Sequence, residues 1–178
     1  MVRFAPLLLL LVAVCACDAF WEGPTLPGGA KSIAYTVLSE QGPVSNMGTF
    51  VVADTSIAAL RASVAQRTHQ RDCHIDAISS DPCWEKIADE PGRLYVAMTR
   101  QYVCGTVRET AVLSGSTLYF IYWIGRPQGP CGDASQLPYF RLVSFHRSDL
   151  PPTGCLAVDL QIQEGGTTTD YRTGVTLS

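Results

Sequence analysis

Within fifteen residues, His69, Cys73, His74 and Cys83 bring together two imidazoles and two thiols, the donor types that zinc takes. Their spacing fits no closed zinc pattern, and a cysteine pair outside the cytoplasm more often oxidises. The expectation is a disulfide loop with surface histidines, and no metal or cofactor is assigned. His146, Asp149 and one of many serines could be nominated as base, acid and nucleophile for hydrolysis. No serine sits in a Gly-x-Ser-x-Gly turn, so no catalytic residue is assigned and the chain is not expected to be an enzyme. The run Tyr119-Phe120-Ile121-Tyr122-Trp123 alternates faces on a strand. Phe120 and Tyr122 are the candidate binding surface, the plainer alternative being that core and helix cover both faces. Arg61, Arg67 and Arg71 read as the solvated side of a helix and its exit. Gly28-Gly29 and Gly165-Gly166 lack the strand and helix context of a phosphate loop.

The most specific chemistry lies near the start. Arg3 precedes the apolar run Leu7 to Val14 and then Val14-Cys15-Ala16-Cys17. The run suits the apolar region of an export signal and is too short to span a bilayer. Val14-Cys15-Ala16-Cys17 resembles the box of a bacterial lipoprotein signal, in which the last cysteine receives lipid. Residues 1–16 are thus expected to be a signal peptide and Cys17 the lipidation site. Secretion after Ala16 or Ala19 and an uncleaved anchor are the alternatives. Each reading places the body outside the cytoplasm.

Cys73, Cys83, Cys104, Cys131 and Cys155 remain as disulfide candidates, in keeping with an oxidising compartment. Five is odd, so lipid on Cys17 leaves one of them unpaired. Cys73 and Cys83 are the best local pair, with a turn signal at Asp81-Pro82. Closing that loop would stabilise the fold by about 2–3 kcal/mol. Spacing does not decide among the others.

The chain has 178 residues and a formal net charge of −3, with 16% charged side chains. Removing residues 1–16 takes away Arg3 and no acid, leaving 12 basic against 16 acidic side chains and a net charge of −4. Such a surface has no broad field for phosphate polymers, which argues against nucleic acid as a partner. The remaining length suits one domain with a sizeable core.

Residues 17–31 carry Gly23-Pro24, Pro27 and Gly28-Gly29 and read as a Pro/Gly-rich tether, with a single domain over 32–178. Alternation predicts a strand from Ser32 to Ser39, and Thr49 to Val52 is a second. Asp54 offers a helix cap, and Ile57, Leu60 and Val64 follow at steps of three and four, predicting the principal helix near Asp54 to Arg67. A polar stretch from Thr68 to Pro91 holds a short helix at Pro82 to Ala88. Leu94 to Met98 is apolar throughout, as for a strand covered on both faces. Thr106 to Leu113 and Thr117 to Ile124 flank Ser114-Gly115-Ser116 as a hairpin. Tyr139 to His146 is a further strand, and Leu156 to Gln163 and Tyr171 to Leu177 close the chain as a hairpin around Gly165-Gly166. The expected fold is α+β, a mainly antiparallel sheet with one principal helix in a single disulfide-containing domain.

The order of these elements resembles a known family. Thr36-Val37-Leu38-Ser39-Glu40, Phe50-Val51-Val52-Ala53-Asp54, a helix, Leu94 to Met98 and Leu113-Ser114-Gly115-Ser116-Thr117-Leu118 come first. Gly129-Pro130-Cys131 and Pro138-Tyr139-Phe140-Arg141-Leu142-Val143 follow, running through Arg147-Ser148-Asp149-Leu150-Pro151. Over residues 35–152 this layout is similar to the bacterial protease-complex subunit PrcB domain. Where members carry a Gly-Gly-Tyr turn, this chain has Cys104-Gly105-Thr106, and Leu156 to Ser178 extends beyond the resemblance. What it implies is a non-catalytic, surface-tethered accessory domain that binds an extracytoplasmic partner such as a protease. On that reading the partners are the membrane, through lipid on Cys17, and such a protein. The alternatives carried beside it are a small metal-dependent or hydrolytic enzyme and a structural envelope lipoprotein.

Overall fold

The computed structural model describes residues 23–41, 48–68, 87–101, 107–125 and 138–178. Nine strands and one helix follow in chain order: β1 (Lys31–Ser32), β2 (Thr36–Gln41), β3 (Phe50–Asp54), α1 (Ile57–Thr68), β4 (Arg93–Gln101), β5 (Val107–Ser114), β6 (Thr117–Ile124), β7 (Pro138–His146), β8 (Gly154–Glu164) and β9 (Thr167–Leu177). A short 3-10 turn, Arg147–Asp149, links β7 to β8. The strands form two sheets, one of order β1-β5-β6-β8-β9 and one of order β2-β7-β4-β3.

Side-chain alternation sorts the chain into three layers. Leu118, Phe120 and Tyr122 of β6 and Leu156, Val158 and Leu160 of β8 meet Leu94, Val96 and Met98 of β4 and Val143 and Phe145 of β7 in one core between the sheets. The opposite face of the four-stranded sheet supplies Phe50, Val52, Tyr95, Ala97, Phe140 and Leu142, which pack against Ile57, Leu60 and Val64 of α1. β4 is therefore buried on both faces, as its apolar run implies. The helix opens where the sequence places it: Ser56 donates its amide to Asp54 Oδ1 at 3.1 Å, and Leu60 bonds back to Ser56 O at 3.0 Å.

Both expected hairpins form, β5 with β6 and β8 with β9. Gly165 and Gly166 turn the second at φ 56° and 81°, a left-handed region open mainly to glycine. Three features depart from the expected layout. The single sheet is two sheets. The segment read as one strand from Ser32 to Ser39 is β1 in one sheet and β2 in the other, the chain crossing at residues 33–35 while Ile33 and Tyr35 pack on the core. And β6 and β8 run parallel, from Thr117 beside Ala157 to Ile124 beside Glu164. They do so because β7, which lies between them in sequence, belongs to the other sheet. All other neighbouring strands are antiparallel. The fold is thus α+β and sheet-dominated. The short helix read at residues 82–88 falls mainly outside the described residues.

Candidate functional site

Two places in the described fold put polar or unsatisfied groups where an all-apolar or fully paired arrangement would be expected. The first lies between the sheets. Arg141 of β7 shares its face with Val143 and Phe145, so alternation turns its guanidinium inward, and its side chain is 12% exposed. Glu109 of β5 meets it from the opposite sheet, paired through Arg141 Nη1 and Glu109 Oε2. Glu40 Oε2 lies 3.4 Å from Arg141 Nε, too poorly aligned to satisfy that nitrogen as a hydrogen bond. The Tyr35 hydroxyl donates to Glu109 Oε2 at 3.3 Å.

Aromatic rings wall this cluster. The Arg100 guanidinium lies 4.9 Å from the Tyr122 ring and 5.7 Å from the Tyr139 ring, attractive contacts with their negative faces. The Tyr122 hydroxyl meets Met98 Sδ at 3.5 Å. Desolvation and, after it, the Glu109 charge push the Tyr122 phenol up to about 12. Burial works against the charge on Arg141, but Tyr122, Glu109 and Glu40 outweigh it and hold the group above its ordinary value. The cluster thus ties the sheets together through the Arg141–Glu109 pair, beside a phenol that will not ionise at neutral pH and with a guanidinium that will not deprotonate.

The second place is the outer face of the five-stranded sheet with its long terminal hairpin. Cys155, Asp159, Gln161 and Gln163 alternate with the inward residues of β8 and so share that outer face with Tyr119, Ile121 and Trp123 of β6. Gln163 accepts the Thr25 amide at 2.8 Å and donates to the Thr25 carbonyl at 2.9 Å. Ser114 donates to the Gly28 carbonyl at 2.9 Å. Residues 25–28 therefore strap this face before β1 joins β5, and contact with the sheet begins earlier than residue 32, where the domain was expected to start. Replacing Gln163 with leucine removes both bonds to Thr25. The expected result is a loss of about 1–2 kcal/mol and faster exchange of the Thr25 amide, read by hydrogen exchange.

Asp159 is fully buried on this face, and Arg172 of β9 binds it through Nε at 3.1 Å and through Nη2. Its second oxygen, Oδ1, has no hydrogen-bond partner among the described residues. The Arg172 side chain remains 63% exposed.

The residues nominated from sequence fare differently. Phe120 and Tyr122 are each 1% exposed and cannot serve as a binding surface: their face of β6 is the inner one, where they pack on each other with centroids 5.3 Å apart. His146 and Asp149 are exposed at and just after the end of β7, and no hydrogen bond among the described residues links either to a serine. Cys155 is an exposed free thiol. Cys17, Cys73, Cys83, Cys104 and Cys131, with His69, His74 and Arg71, lie outside the described residues. Among the described residues, no three His, Cys, Asp or Glu side chains are grouped to hold a metal ion, and no helix is long and apolar enough to cross a membrane. Sequence reasoning missed Arg141, Glu109 and the β9 edge. A charged residue at an inward position of each strand was the available signal for the pair. Comparison of the chain with family models, curated proteins and solved structures found no match.

Proposed function

We propose that the chain is an exported, lipid-anchored accessory module that binds an extracytoplasmic protein, such as a protease, and has no catalytic step of its own. The observation that carries this reading is the box Val14-Cys15-Ala16-Cys17 after an apolar run of signal length. It stands just ahead of a sandwich whose ionisable cluster is committed to holding its sheets together. The similarity of residues 35–152 to the PrcB layout supports the accessory role. The free thiol of Cys155 fits the cysteine count that lipid on Cys17 imposes. On this reading Cys155 is the odd residue and Cys73 with Cys83 is the favoured local pair.

Intact mass spectrometry of protein made in its native host tests the address and the count together. The expected spectrum shows a diacylglycerol adduct on Cys17, two oxidised pairs, and alkylation of Cys155 alone without reduction. An unmodified N-terminus after Ala16 or Ala19 would sink the anchored reading. Hydrolysis of ester or peptide substrates that disappears in a His146→Ala variant would sink the non-catalytic one.

A further inference from the structure

Two crossings between the sheets leave a cleft at the seam of the sandwich. Residues 33–35 carry the chain from β1 in the five-stranded sheet to β2 in the four-stranded one, and the turn Arg147–Asp149 leads it back from β7 toward β8. The cleft holds about 250 Å³ and is lined by Lys31, Ser32, Ile33, Ala34, Leu113 and Asp149. Ile33 and Leu113 are half-buried and pack on the core between the sheets, so the cleft has an apolar floor. Lys31, Ser32, Ala34 and Asp149 are exposed around it.

Two charges of opposite sign thus border one small space, and neither is spent on the fold. Among the described residues, the side chains of Lys31 and Asp149 form no hydrogen bond or ion pair, with each other or with any other group. Both stand on fixed backbone. Lys31 pairs with Leu113 of β5, Ile33 donates its amide to the Ala111 carbonyl at 3.0 Å, and Ala30 donates to the Pro27 carbonyl at 3.1 Å. On the other wall the Arg147 amide donates to the Gly92 carbonyl at 2.9 Å, and the Leu150 amide closes the turn on the Arg147 carbonyl at 3.2 Å. The Arg147 guanidinium then donates to the carbonyls of Pro151 and Pro152 at 3.0 and 2.7 Å. The separation of the two walls is therefore set before anything binds.

We propose that this cleft binds a small zwitterion, an ammonium and a carboxylate joined by a short apolar body, as in a free amino acid or a dipeptide. Asp149 takes the ammonium, Lys31 takes the carboxylate, and Ile33 and Leu113 receive the apolar body, with the Ser32 hydroxyl at the rim for a hydrogen bond. The charges and the size select this class. The volume is below the roughly 300–1,000 Å³ of pockets that hold drug-sized ligands, which restricts the occupant to few atoms. A simple anion would be repelled by Asp149 and a simple cation by Lys31. An uncharged apolar guest would strip water from both charges without replacing it. A zwitterion answers both charges at once, and walls positioned in advance keep the ordering cost of binding low. The inference rests neither on the lipid anchor nor on a protease partner.

Titration of the full chain with alanyl-alanine, followed by amide chemical shifts in nuclear magnetic resonance, tests the inference. The expected result is saturable binding with a dissociation constant on the order of 1 mM, with the largest shifts at residues 31–34 and at Asp149. Lys31→Gln and Asp149→Asn are each expected to weaken it about fivefold, the worth of one exposed ion pair. Ala34→Phe, which fills the cleft from an exposed position, is expected to abolish it, and circular dichroism verifies that each variant is folded. Capping the ligand assigns its ends. N-acetyl-alanyl-alanine should bind more weakly and lose nothing further in Asp149→Asn, and alanyl-alanine amide should behave in the same way toward Lys31→Gln. Free alanine, titrated beside the dipeptide, separates the two sources of the zwitterion by which binds more tightly. Shifts that do not saturate at about ten times the expected constant overturn the proposal, as does binding that Lys31→Gln, Asp149→Asn and Ala34→Phe leave unchanged. Binding that both caps leave undiminished overturns the zwitterion as the ligand class.

Discussion

Arg141→Met is expected to lower the free energy of unfolding by about 3 kcal/mol, while the double variant Arg141→Met/Glu109→Leu recovers most of that loss. The reasoning starts from desolvation. Arg141 and Glu109 bring one charge from each sheet into the space between them, with side chains 12% and 23% exposed. Removing one partner leaves the other charge with little water and no counterion, a cost of about 3–5 kcal/mol for fully buried pairs. The partial exposure of Glu109, which lets water reach the orphaned carboxylate, places this pair at the lower end. Removing both charges and filling the space with apolar groups removes the desolvation cost as well, so the double change is expected to lie within about 1 kcal/mol of the parent. Urea denaturation of the four chains in the cycle yields the coupling energy directly. A single Arg141→Met variant as stable as the parent would show that the guanidinium is solvated and that the sheets are not joined through it.

That pair also shows what the sequence could and could not reveal. Alternation located most strand cores within one to three residues, because it reports which side chains leave water, and Ile57, Leu60 and Val64 marked the buried stripe of α1 for the same reason. Alternation does not report which sheet a strand joins. Ser32 to Ser39 reads as one strand although the chain changes sheets at Ile33 to Tyr35, since both of those side chains are still drawn to the same core. The parallel pairing of β6 with β8 was hidden for a related reason: it follows from where β7 goes, which local pattern does not encode. The aromatic run misled in a different way. Tyr119 to Trp123 promised a spare sticky face, but the core takes Phe120 and Tyr122 while Ile121, on the other face, is also buried. Arg141, between Phe140 and Leu142, and Glu109, between Arg108 and Thr110, look like ordinary strand charges when each is read alone. Only their inward parity distinguished them, and only the meeting of two sheets made them partners across 32 residues of chain.

The stability of the domain is expected to fall by about 2–3 kcal/mol between pH 10 and pH 12, and a Tyr122→Phe variant should lose much less over the same range. Tyr122 is pushed from an ordinary phenol value of 10.0 up to about 12, first by burial and then by the Glu109 charge. Its folded-state value is therefore above the unfolded one. In the unfolded chain the phenol releases its proton near pH 10, while in the folded chain it stays neutral, so rising pH draws the equilibrium toward the unfolded state. The contribution is fully present below pH 10 and is lost as pH climbs through the folded-state value, and two pH units of displacement correspond to about 2.7 kcal/mol. Burial also raises Tyr35 and Tyr95, which act in the same direction and account for the smaller slope expected to remain in Tyr122→Phe. Denaturation midpoints taken across this range, read beside tyrosinate absorbance, separate the residues. If Tyr122→Phe keeps the full alkaline slope, the phenol is reached by water in the folded state. The aromatic wall around Arg141 would then be open, and the pairing of Arg141 with Glu109 would be screened along with it.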